Sequence, residues 1–399
     1  MEAKKLLVIF GTRPEAIKVA PIIQAAKKSA QLECVVAVTG QHREMLDQVN
    51  TLFGIVPDFD LDVFSKSQSL NRLVARIIDG LDGVFDACAP DAVLVQGDTT
   101  SAVAGAIAAF YRGIPVVHAE AGLRSYNLFS PFPEEANRKL ASQLATLHLA
   151  PTMFNKRNLM NEGIGEKSIV VTGNTVIDAL LETLSDEISF SDPRLLALES
   201  SGRRLVTVTT HRRENHGSRM ASIAKAIAVI AEMVPDTEFI LPLHWNPAVR
   251  DQIIPAITGL GNVLVTDPLN YAEFTKLLSL STIVLTDSGG VQEEAPSLGK
   301  PVLVMRSNTE RPEGIVAGSV RLVGTDAGDI VREMLSLLGD QDAFNSMANA
   351  VNPYGDGSAS SRSIAAITEL LGVGARAEEF NSWNPSEEQL VRAAQMIQE

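Results

Sequence analysis

The stretch Ile283-Val-Leu-Thr-Asp-Ser-Gly-Gly-Val-Gln-Glu-Glu294 joins a short apolar run to a sequence that is compatible with a helix. Glycines between a strand and a helix let backbone N–H groups approach an anion at the helix start. Two carboxylates follow on the first helical turn, where one of them could hold the neighbouring hydroxyls of a ribose. The pattern predicts a nucleotide bound through both its diphosphate and its sugar. The alternative is an ordinary turn with a helix cap, which Asp-Ser-Gly-Gly also forms.

Apolar, β-branched runs recur along the whole chain, with longer stretches of helical spacing between most of them. Continuous apolar strands that alternate with helices predict parallel sheets covered on both faces. Two sets of about six strands are too many for one sheet of this type. We therefore predict an α/β fold of two doubly wound, Rossmann-like domains, residues 1–173 and 174–366. The runs lie at Leu6–Phe10, Val35–Val38, Ala92–Val95, Val116–Val117, Leu147–Ala150, Ile169–Val171, Leu205–Val208, Phe239–Leu241, Val263–Val265, Ile283–Leu285, Val302–Met305 and Val320–Val323.

The composition excludes only a few broad classes of protein. Hydrophobic residues make up 45% and charged residues 21% of the 399 residues, as in an ordinary globular protein. No apolar run approaches the roughly 18 residues of a membrane span, and the first strand begins too early for a signal peptide. Cys34 and Cys88 are too few for a disulfide scaffold or a four-ligand zinc site. We therefore expect a cytoplasmic protein without a membrane partner.

The net charge of −14 argues against binding to nucleic acid. An anionic small molecule would therefore need a local cluster of positive charge.

Polar residues follow nearly every predicted strand. Ligands of doubly wound sheets bind outside the carboxyl ends of the strands, so these residues form one candidate site. Groups that bind phosphate, accept hydrogen bonds or move protons occur at eight strand ends, which favours an enzyme over a structural protein. The segments are Gly11–Lys18, Thr39–Arg43, Gln96–Thr100, His118–Arg124, Thr209–Asn215, Pro242–Trp245, Asp287–Glu294 and Arg306–Glu313.

The first of these segments carries two cations beside the start of a predicted helix. Pro14 can take the first helical position, where its missing N–H costs nothing. Arg13 then lies just before the helix and Lys18 about one turn inside it, near the positive end of the helix dipole. The arrangement suits a diphosphate. The alternative is a solvated turn with two surface cations.

Three carboxylate positions are candidates for proton transfer. Asp98 ends a strand, but it is equally suited to cap the next helix. Glu120 lies among small neighbours in His-Ala-Glu-Ala-Gly, and a buried, partnered glutamate is its alternative. Glu134 and Glu135 follow the stiff loop Ser130-Pro-Phe-Pro133, although acidic residues are common in a first helical turn for dipole reasons alone. Of this pair we favour Glu134 for a function.

Taken together, the strand-end motifs match one known family. The matching stretches are Phe10–Lys18, Gln41–Leu46, Gln96–Thr100, Glu120–Arg124, Ser130–Arg138, Val171–Thr175, His211–Asn215, Thr286–Pro296 and Arg306–Glu313. With these the chain resembles the non-hydrolysing UDP-N-acetylglucosamine 2-epimerases, two-domain enzymes of the GT-B group. The resemblance extends in colinear order over roughly residues 6–370.

The resemblance implies an active site in the cleft between the two domains and a reaction without metal or nicotinamide cofactor. The family interconverts UDP-N-acetylglucosamine and UDP-N-acetylmannosamine by inverting C2 of the sugar. It eliminates UDP across C1–C2 and re-adds it to a 2-acetamidoglucal intermediate after protonating C2 on the other face. The resemblance also implies a homodimer, and a helical tail at residues 367–399 that packs back on the first domain.

Roles for single residues follow from the same resemblance. Asp98 and Glu120 would be the leading acid and base, and Glu134 would assist proton transfer or orient the acetamido sugar. The residues that would steady the departing diphosphate are Arg13, Lys18 and His211. The implied UDP-binding residues are Arg13, His211, Phe274, Ser288, Gly289, Gly290, Glu294 and Arg311.

The resemblance also implies contacts to the ribose and the uracil, and a second ligand site. Glu294 would take the ribose hydroxyls and Phe274 would pack on the uracil, although plain core packing is the alternative for Phe274. Some family members bind a second, activating substrate molecule beside the active site. The candidates for that second site are Gln41, His42, Arg43, Glu135 and His244.

Three other functions fit parts of the pattern. A GT-B glycosyltransferase would use the same UDP site but pass the sugar to an acceptor. A hydrolysing epimerase would release UDP and free N-acetylmannosamine. A non-catalytic UDP-sugar sensor would keep the nucleotide site and tolerate loss of the carboxylates. Three convergent carboxylates favour the non-hydrolysing epimerase.

Overall fold

The computed structural model describes residues 2–40, 43–63, 65, 68–184, 187–381, 383 and 385–398, without the side chains of 43–45, 394, 397 and 398. Contacts between residues divide the chain into two units. The first unit runs to Ala179 and includes Tyr354–Ser386, and the second comprises Leu180–Pro353 and Glu387–Ile397. The domain boundaries expected from the sequence, at residues 173 and 366, remain predictions.

Strands and helices alternate through most of the described residues, and helices alone follow the last strand. Up to residue 183 they are β1 (Lys4–Phe10), α1 (Arg13–Lys28), β2 (Leu32–Val38), α2 (Arg43–Leu52), β3 (Phe59–Asp60), α3 (Leu70–Cys88), β4 (Ala92–Gln96), α4 (Thr100–Tyr111), β5 (Val116–Ala119), α5 (Glu134–Leu144), β6 (Leu147–Ala150), α6 (Met153–Asn161), β7 (Ile169–Val171) and α7 (Thr175–Thr183). The elements that follow are α8 (Pro193–Glu199), β8 (Arg204–Thr209), α9 (Ser218–Met233), β9 (Thr237–Pro242), α10 (Pro247–Ile257), β10 (Val263–Thr266), α11 (Tyr271–Leu280), β11 (Ile283–Thr286), α12 (Val291–Ser297), β12 (Val302–Val304), α13 (Pro312–Ala317), β13 (Val320–Leu322), α14 (Ala327–Gly339), α15 (Gln341–Ala348), α16 (Ala359–Leu370) and α17 (Glu387–Gln398).

Each unit is built on one parallel sheet. The strand order is β3-β2-β1-β4-β5-β6-β7 in the first sheet and β10-β9-β8-β11-β12-β13 in the second. All the paired strands are parallel. The prediction of two doubly wound α/β domains is therefore confirmed. The sequence analysis missed β3, because this two-residue edge strand contains no apolar run.

The strand order places a switch point in each sheet, between β1 and β4 in the first and between β8 and β11 in the second. The chain winds outward in opposite directions from that point, which leaves a crevice at the carboxyl ends of the two central strands. The loops after β1 and β4 are the segments Gly11–Lys18 and Gln96–Thr100. Those after β8 and β11 are Thr209–Asn215 and Asp287–Glu294. The topology thus brings the predicted strand-end segments of each unit together in pairs.

Continuous apolar sequence explains why the central strands are buried on both faces. Alternate side chains of a strand point to opposite faces of its sheet. The three consecutive residues Val93, Leu94 and Val95 of β4 are all fully buried, so helices cover both faces of the sheet. Among the described residues, no helix combines the length and the apolar character needed to cross a bilayer.

A segment after α16 packs onto the edge of the first sheet. Phe380 is buried, and its backbone N–H donates to the carbonyl of Val171 at the end of β7 over 2.8 Å. The guanidinium group of Arg362 lies over the Phe380 ring, 5.5 Å from its centroid. Glu379 pairs with the buried Lys156 of α6 at 3.2 Å. This segment, Arg376–Phe380, is therefore part of the packed first unit.

We expect Phe380→Ala to lower the free energy of unfolding of the first unit by about 3 kcal/mol, because a buried aromatic ring leaves a cavity. Urea unfolding followed by circular dichroism measures the change. Phe110→Ala is the matched control, since that ring at the end of α4 is 52% exposed and should contribute less than about 1 kcal/mol. Equal unfolding midpoints for the two variants would contradict the packing described for the segment.

Candidate active site

Asp98 lies in the turn between β4 and α4, at the carboxyl edge of the first sheet. The N-cap of α4 is Thr99, whose hydroxyl accepts from the backbone N–H of Ala102 at 3.1 Å. The capping role considered for Asp98 is therefore wrong. Its carboxylate instead pairs with Arg138 of α5 at 2.5 Å and remains 26% exposed. The side chain is thus held by a cation while part of it stays open to solvent.

Glu120 follows β5 and forms a second short ion pair at this edge. Its carboxylate lies 2.5 Å from Nζ of Lys18 and accepts from the amides of Gln96 at 2.8 Å and Asn174 at 3.3 Å. Its backbone φ is +59°, a left-handed conformation that is uncommon for a residue with a side chain. Such strain persists where surrounding contacts hold it, and it is found often at functional sites. Glu120 is partnered, as its alternative interpretation has it, and it also lines a small pocket together with Asn174 and Thr175.

Glu134 and Glu135 begin α5, and their surroundings differ sharply. Glu134 is partly buried, and its Oε2 is enclosed without a hydrogen-bond partner among the described residues. Glu135 is fully buried. Its carboxylate accepts from the backbone N–H groups of Ser125 at 2.9 Å and Tyr126 at 3.0 Å. Glu134 is therefore the member of the pair with acceptor capacity left for a ligand.

The turn after β1 is shaped by a residue that the sequence analysis did not select. Glu15 is buried and accepts from the backbone N–H groups of Gly11 at 3.1 Å and Thr12 at 2.8 Å. It also accepts from the hydroxyl of Thr99 at 2.5 Å. Burial raises the pKa of Glu15 to about 7, although these hydrogen bonds oppose the rise. Glu15 thereby ties the turn before α1 to the turn that contains Asp98.

Arg13 and Lys18, the two cations of this segment, have different surroundings. Helix α1 begins at Arg13, so Pro14 takes the second helical position rather than the first. Arg13 is partly buried at the helix start. Lys18 contacts the carboxylate of Glu120, which is one of the candidates for proton transfer. Of the two cations expected at a diphosphate, Arg13 is the one placed at the helix N-terminus.

In the second unit, the buried carboxylate of Asp287 organises the loop after β8. It accepts from the hydroxyl of Thr210 at 2.9 Å and from the amide of Asn215 at 3.0 Å. It also accepts from the backbone N–H groups of His211 at 3.1 Å and Arg212 at 3.0 Å. Asp287 therefore fixes the position of the His211–Arg212 turn beside the glycines that follow it.

Two guanidinium groups converge on Gly289. A Cβ atom at this residue would lie 2.8 Å from Nη1 of Arg311 and 3.2 Å from Nη2 of Arg212. A side chain there would displace at least one arginine, so glycine keeps both cations beside the turn. Arg212 keeps 27% of its side chain exposed. The turn therefore places two guanidinium groups side by side in a chain of net charge −14.

The arginines are held by buried acidic partners. Glu310 contacts Arg311 at 2.5 Å and Arg306 at 3.0 Å, and it lies 3.7 Å from Arg212. Burial opposes ionisation of Glu310, but the three guanidinium groups outweigh it and hold the pKa of this carboxyl well below its ordinary value. Glu293 binds Nε of Arg311 from the other side. The cations are thus fixed in place before any ligand arrives.

The remaining nucleotide-site candidates lie on the same edge of the second sheet. Glu294, on the first turn of α12, accepts from the hydroxyl of Tyr271 at 2.9 Å. Phe274 is partly buried and packs against a hydrophobic cluster that includes Val291, so packing accounts for at least part of its role. Ser288 donates its backbone N–H to the hydroxyl of Thr286 at 2.9 Å. Gly290 precedes α12 as its N-cap.

Residues proposed for a second substrate molecule fall into three groups. Gln41, His42 and the side chain of Arg43 lie outside the described residues. His244 is exposed, and its ring stacks on that of His211 with a centroid distance of 6.1 Å. Partial desolvation lowers the pKa of His211, although Asp287 opposes this. Glu135 is enclosed by the contacts described above, which leaves it no open acceptor for a ligand. The second site as a whole stays a prediction.

Sequence reasoning missed the residues that hold the candidates in place. These are Glu15, Gln96, Arg138, Asn174, Arg212, Tyr271, Glu293, Arg306 and Glu310. Several of them, such as Arg138 and Asn174, lie within the quoted motifs. That position was the signal in the sequence that could have indicated them. Their partners can lie far away along the chain, as in the 84-residue separation of Glu15 and Thr99, so the pairing itself is visible only in the fold.

Comparison with known proteins adds an independent finding. A family model described as UDP-N-acetylglucosamine 2-epimerase matches residues 24–368. A probable UDP-N-acetylglucosamine 2-epimerase of Ralstonia nicotianae is 50% identical over 369 residues, 91% of this chain and 98% of the relative. The UDP-N-acetylglucosamine 2-epimerase of Escherichia coli K12 is 48% identical, with the same coverage. The crystal structure of the UDP-GlcNAc 2-epimerase from Neisseria meningitidis bound to UDP-GlcNAc has a TM-score of 0.83 and 46% identity, covering 92% of this chain and 99% of that one.

We expect Glu310→Gln to lower the free energy of unfolding of the second unit by roughly 3 kcal/mol at pH 7, because buried guanidinium groups lose their shared counter-charge. The pKa of Glu310 is lower in the folded than in the unfolded state, where it is about 4.3. Its stabilisation is therefore complete above that value and is lost as the pH falls towards the folded-state value. Urea unfolding at pH 7 and at pH 3 should show a smaller difference from wild type at the lower pH.

The matched control for Glu310→Gln is Asp329→Asn. Asp329 forms a solvent-exposed pair with Arg332, which should contribute less than about 1 kcal/mol at either pH. A loss for Glu310→Gln that is the same at both pH values would show that its charge is not what stabilises the arginines.

Proposed function

The chain belongs to the UDP-N-acetylglucosamine 2-epimerase family, and from this premise we propose that it reversibly converts UDP-N-acetylglucosamine into UDP-N-acetylmannosamine without net hydrolysis. The observation that supports the proposal best is the group of three carboxylates at one edge of the first sheet, two of them paired with the cations Lys18 and Arg138. Inverting C2 of a hexose requires proton transfer on both faces of that carbon. Carboxylates held near a cation yet still reachable are suited to that task.

The second unit supplies the features expected of a UDP site. Its arginine cluster at Gly289 and the N-terminus of α12 favour a diphosphate. In the proposal the diphosphate is bound in this unit by His211, Ser288, Gly289, Gly290 and Arg311, and Arg13 of the first unit stays a further candidate for the diphosphate. Glu294 takes the ribose hydroxyls, held by Tyr271, and Phe274 borders the uracil. The Neisseria meningitidis relative was crystallised with UDP-GlcNAc, which supports the same class of ligand here.

The proposed chemistry is elimination followed by addition. No carbonyl stands next to C2, so removal of its proton must accompany departure of a leaving group. A carboxylate takes the C2 proton, the C1–O bond to UDP breaks with its electron pair on the diphosphate, and a C1–C2 double bond forms. In the reverse sense a carboxylic acid protonates C2 on the other face, and a diphosphate oxygen of UDP bonds to C1. Atoms and charge balance without metal or redox cofactor.

Each first-unit carboxylate has a role in this scheme. Asp98 and Glu120 are the acid and base at C2, and Glu134 assists proton transfer or orients the acetamido group. Lys18 holds the charged form of Glu120 in place, while developing negative charge on the diphosphate is met by the arginines. The homodimer and the cytoplasmic location expected from the sequence stay predictions.

Heavy water provides the test of the proposal. Incubation with UDP-N-acetylglucosamine in D₂O should place deuterium at C2 of both UDP-sugars, because the proton removed on one face exchanges before one returns on the other. NMR spectroscopy and mass spectrometry of the products measure it. Free N-acetylmannosamine with UDP would point to a hydrolysing epimerase. Transfer to an added acceptor would point to a glycosyltransferase, and binding without any conversion would point to a sensor.

We expect Asp98→Asn and Glu120→Gln each to lower kcat by about a thousandfold, since general acid–base groups contribute on the order of 10²–10⁴. UDP should still bind with an unchanged Kd, because its proposed ligands lie elsewhere. Asp91→Asn is the matched control: Asp91 also forms an ion pair, with Lys4 at 2.8 Å, but precedes β4 instead of following it. Activity of either carboxylate variant at the level of this control would remove that residue from the mechanism.

A further inference from the structure

Arg138 of α5 makes the shortest charged contact to Asp98, and no role has so far been given to it. We propose that Arg138 is a positioning residue that aims the Asp98 carboxylate at C2 of the sugar. This inference rests on the proposed epimerase function and deepens it. It assigns Arg138 no contact with substrate.

The contact between the two side chains is suited to orienting the carboxylate of Asp98. Nη2 of Arg138 lies 2.5 Å from Oδ2 of Asp98, and the arginine side chain is only 6% exposed while the aspartate is 26% exposed. A charge-assisted bond from a planar guanidinium group fixes direction as well as distance. One oxygen of Asp98 is thereby engaged from the protein side, while part of the carboxylate stays open to solvent.

Arg138 is itself immobilised by Glu135, one turn earlier on α5. Nη1 of the arginine lies 3.2 Å from Oε2 of the fully buried glutamate. The glutamate also accepts the backbone N–H groups of Ser125 and Tyr126. Tyr126 has a φ of +60°, which a bulky residue adopts only when its surroundings hold it there. The arginine is thus held by a second carboxylate, which is itself bound to the backbone of this loop.

The backbone at Asp98 is held independently of the arginine. The amide of Asn137 donates to the carbonyl of Asp98 at 2.9 Å. Thr99 caps α4 and is tied to Glu15. Loss of the arginine side chain therefore releases the torsions of the aspartate side chain and leaves the turn in place. That separation distinguishes a positioning role from a general structural one.

The same helix also carries the third carboxylate. Glu134 and Arg138 are four residues apart on α5, a spacing that places both on one face of a helix. The first turn of α5 therefore sets Glu134 directly and Asp98 through the arginine. Helix α5 therefore positions two of the three proposed proton-transfer groups.

Kinetics of Arg138→Met and Arg138→Lys test the inference. Arg138→Met keeps the length and apolar stem but removes the charge, and its kcat should fall about a hundredfold, the effect of a misplacement near 1 Å. Arg138→Lys retains the charge without the planar fork and should lose about tenfold. KM for UDP-N-acetylglucosamine and Kd for UDP should stay within about threefold of wild type in both. UDP binding also reports that each variant is folded.

A double variant shows whether the arginine acts through Asp98. Asp98→Asn combined with Arg138→Met should be no slower than Asp98→Asn alone, because groups that act as one unit are not additive. Lys156→Met is the matched control for loss of a buried cation. Lys156 pairs with Glu166 and Glu379, which have no role in the proposed proton transfer. Its kcat should stay within about threefold of wild type.

Three outcomes would overturn the positioning role. They are an unchanged kcat in Arg138→Met, a loss of UDP binding as large as the loss of kcat, and a further hundredfold loss in the double variant. Wild-type protein that puts no deuterium into either UDP-sugar would instead refute the proposed function itself. Active wild type with an unaffected Arg138→Met refutes only the present inference.

Discussion

The pairing of partly or fully buried carboxylates with cations is the constraint on which the carboxyl edges of both sheets depend. A charge taken out of water is costly unless a partner of opposite sign accompanies it. In the first unit Lys18 meets Glu120, and Arg138 meets both Asp98 and Glu135. The pairs let ionised groups remain at the rim of an apolar sheet. They also hold those groups in one orientation, which a proton-transfer site requires.

In the second unit the arginines Arg212, Arg306 and Arg311 are likewise paired with acids. Its cations are the groups left for a ligand, and acids such as Glu310 hold them from behind. Because Asp287 is fully satisfied by the loop after β8, it serves as scaffold and not as ligand. Parallel topology explains why each set forms at all. The carboxyl ends of the central strands meet at a switch point, so loops distant in sequence become neighbours.

Much of this arrangement was accessible from the sequence. Apolar runs predicted twelve of the thirteen described strands, since fully buried parallel strands need continuous apolar sequence. The strand-end motifs indicated the carboxylates and the glycine turn. The choice of Thr99 over Asp98 as the cap of α4 and the burial of Glu135 were not accessible from the sequence. Adjacent residues of the same type, such as Glu134 and Glu135, differ only in which way the helix turns them.

The sequence by itself determined the fold class, the family and the residue types available at each strand end, because these follow from local periodicity and from motifs written in consecutive residues. Only the tertiary structure decided which charges pair. Lys18 and Glu120 are separated by 102 positions and Arg306 and Glu214 by 92, and no local rule links them. Their contacts exist because packing of whole strands and helices brings the two chain segments together, and Coulomb attraction at short range in a desolvated environment then selects the partners.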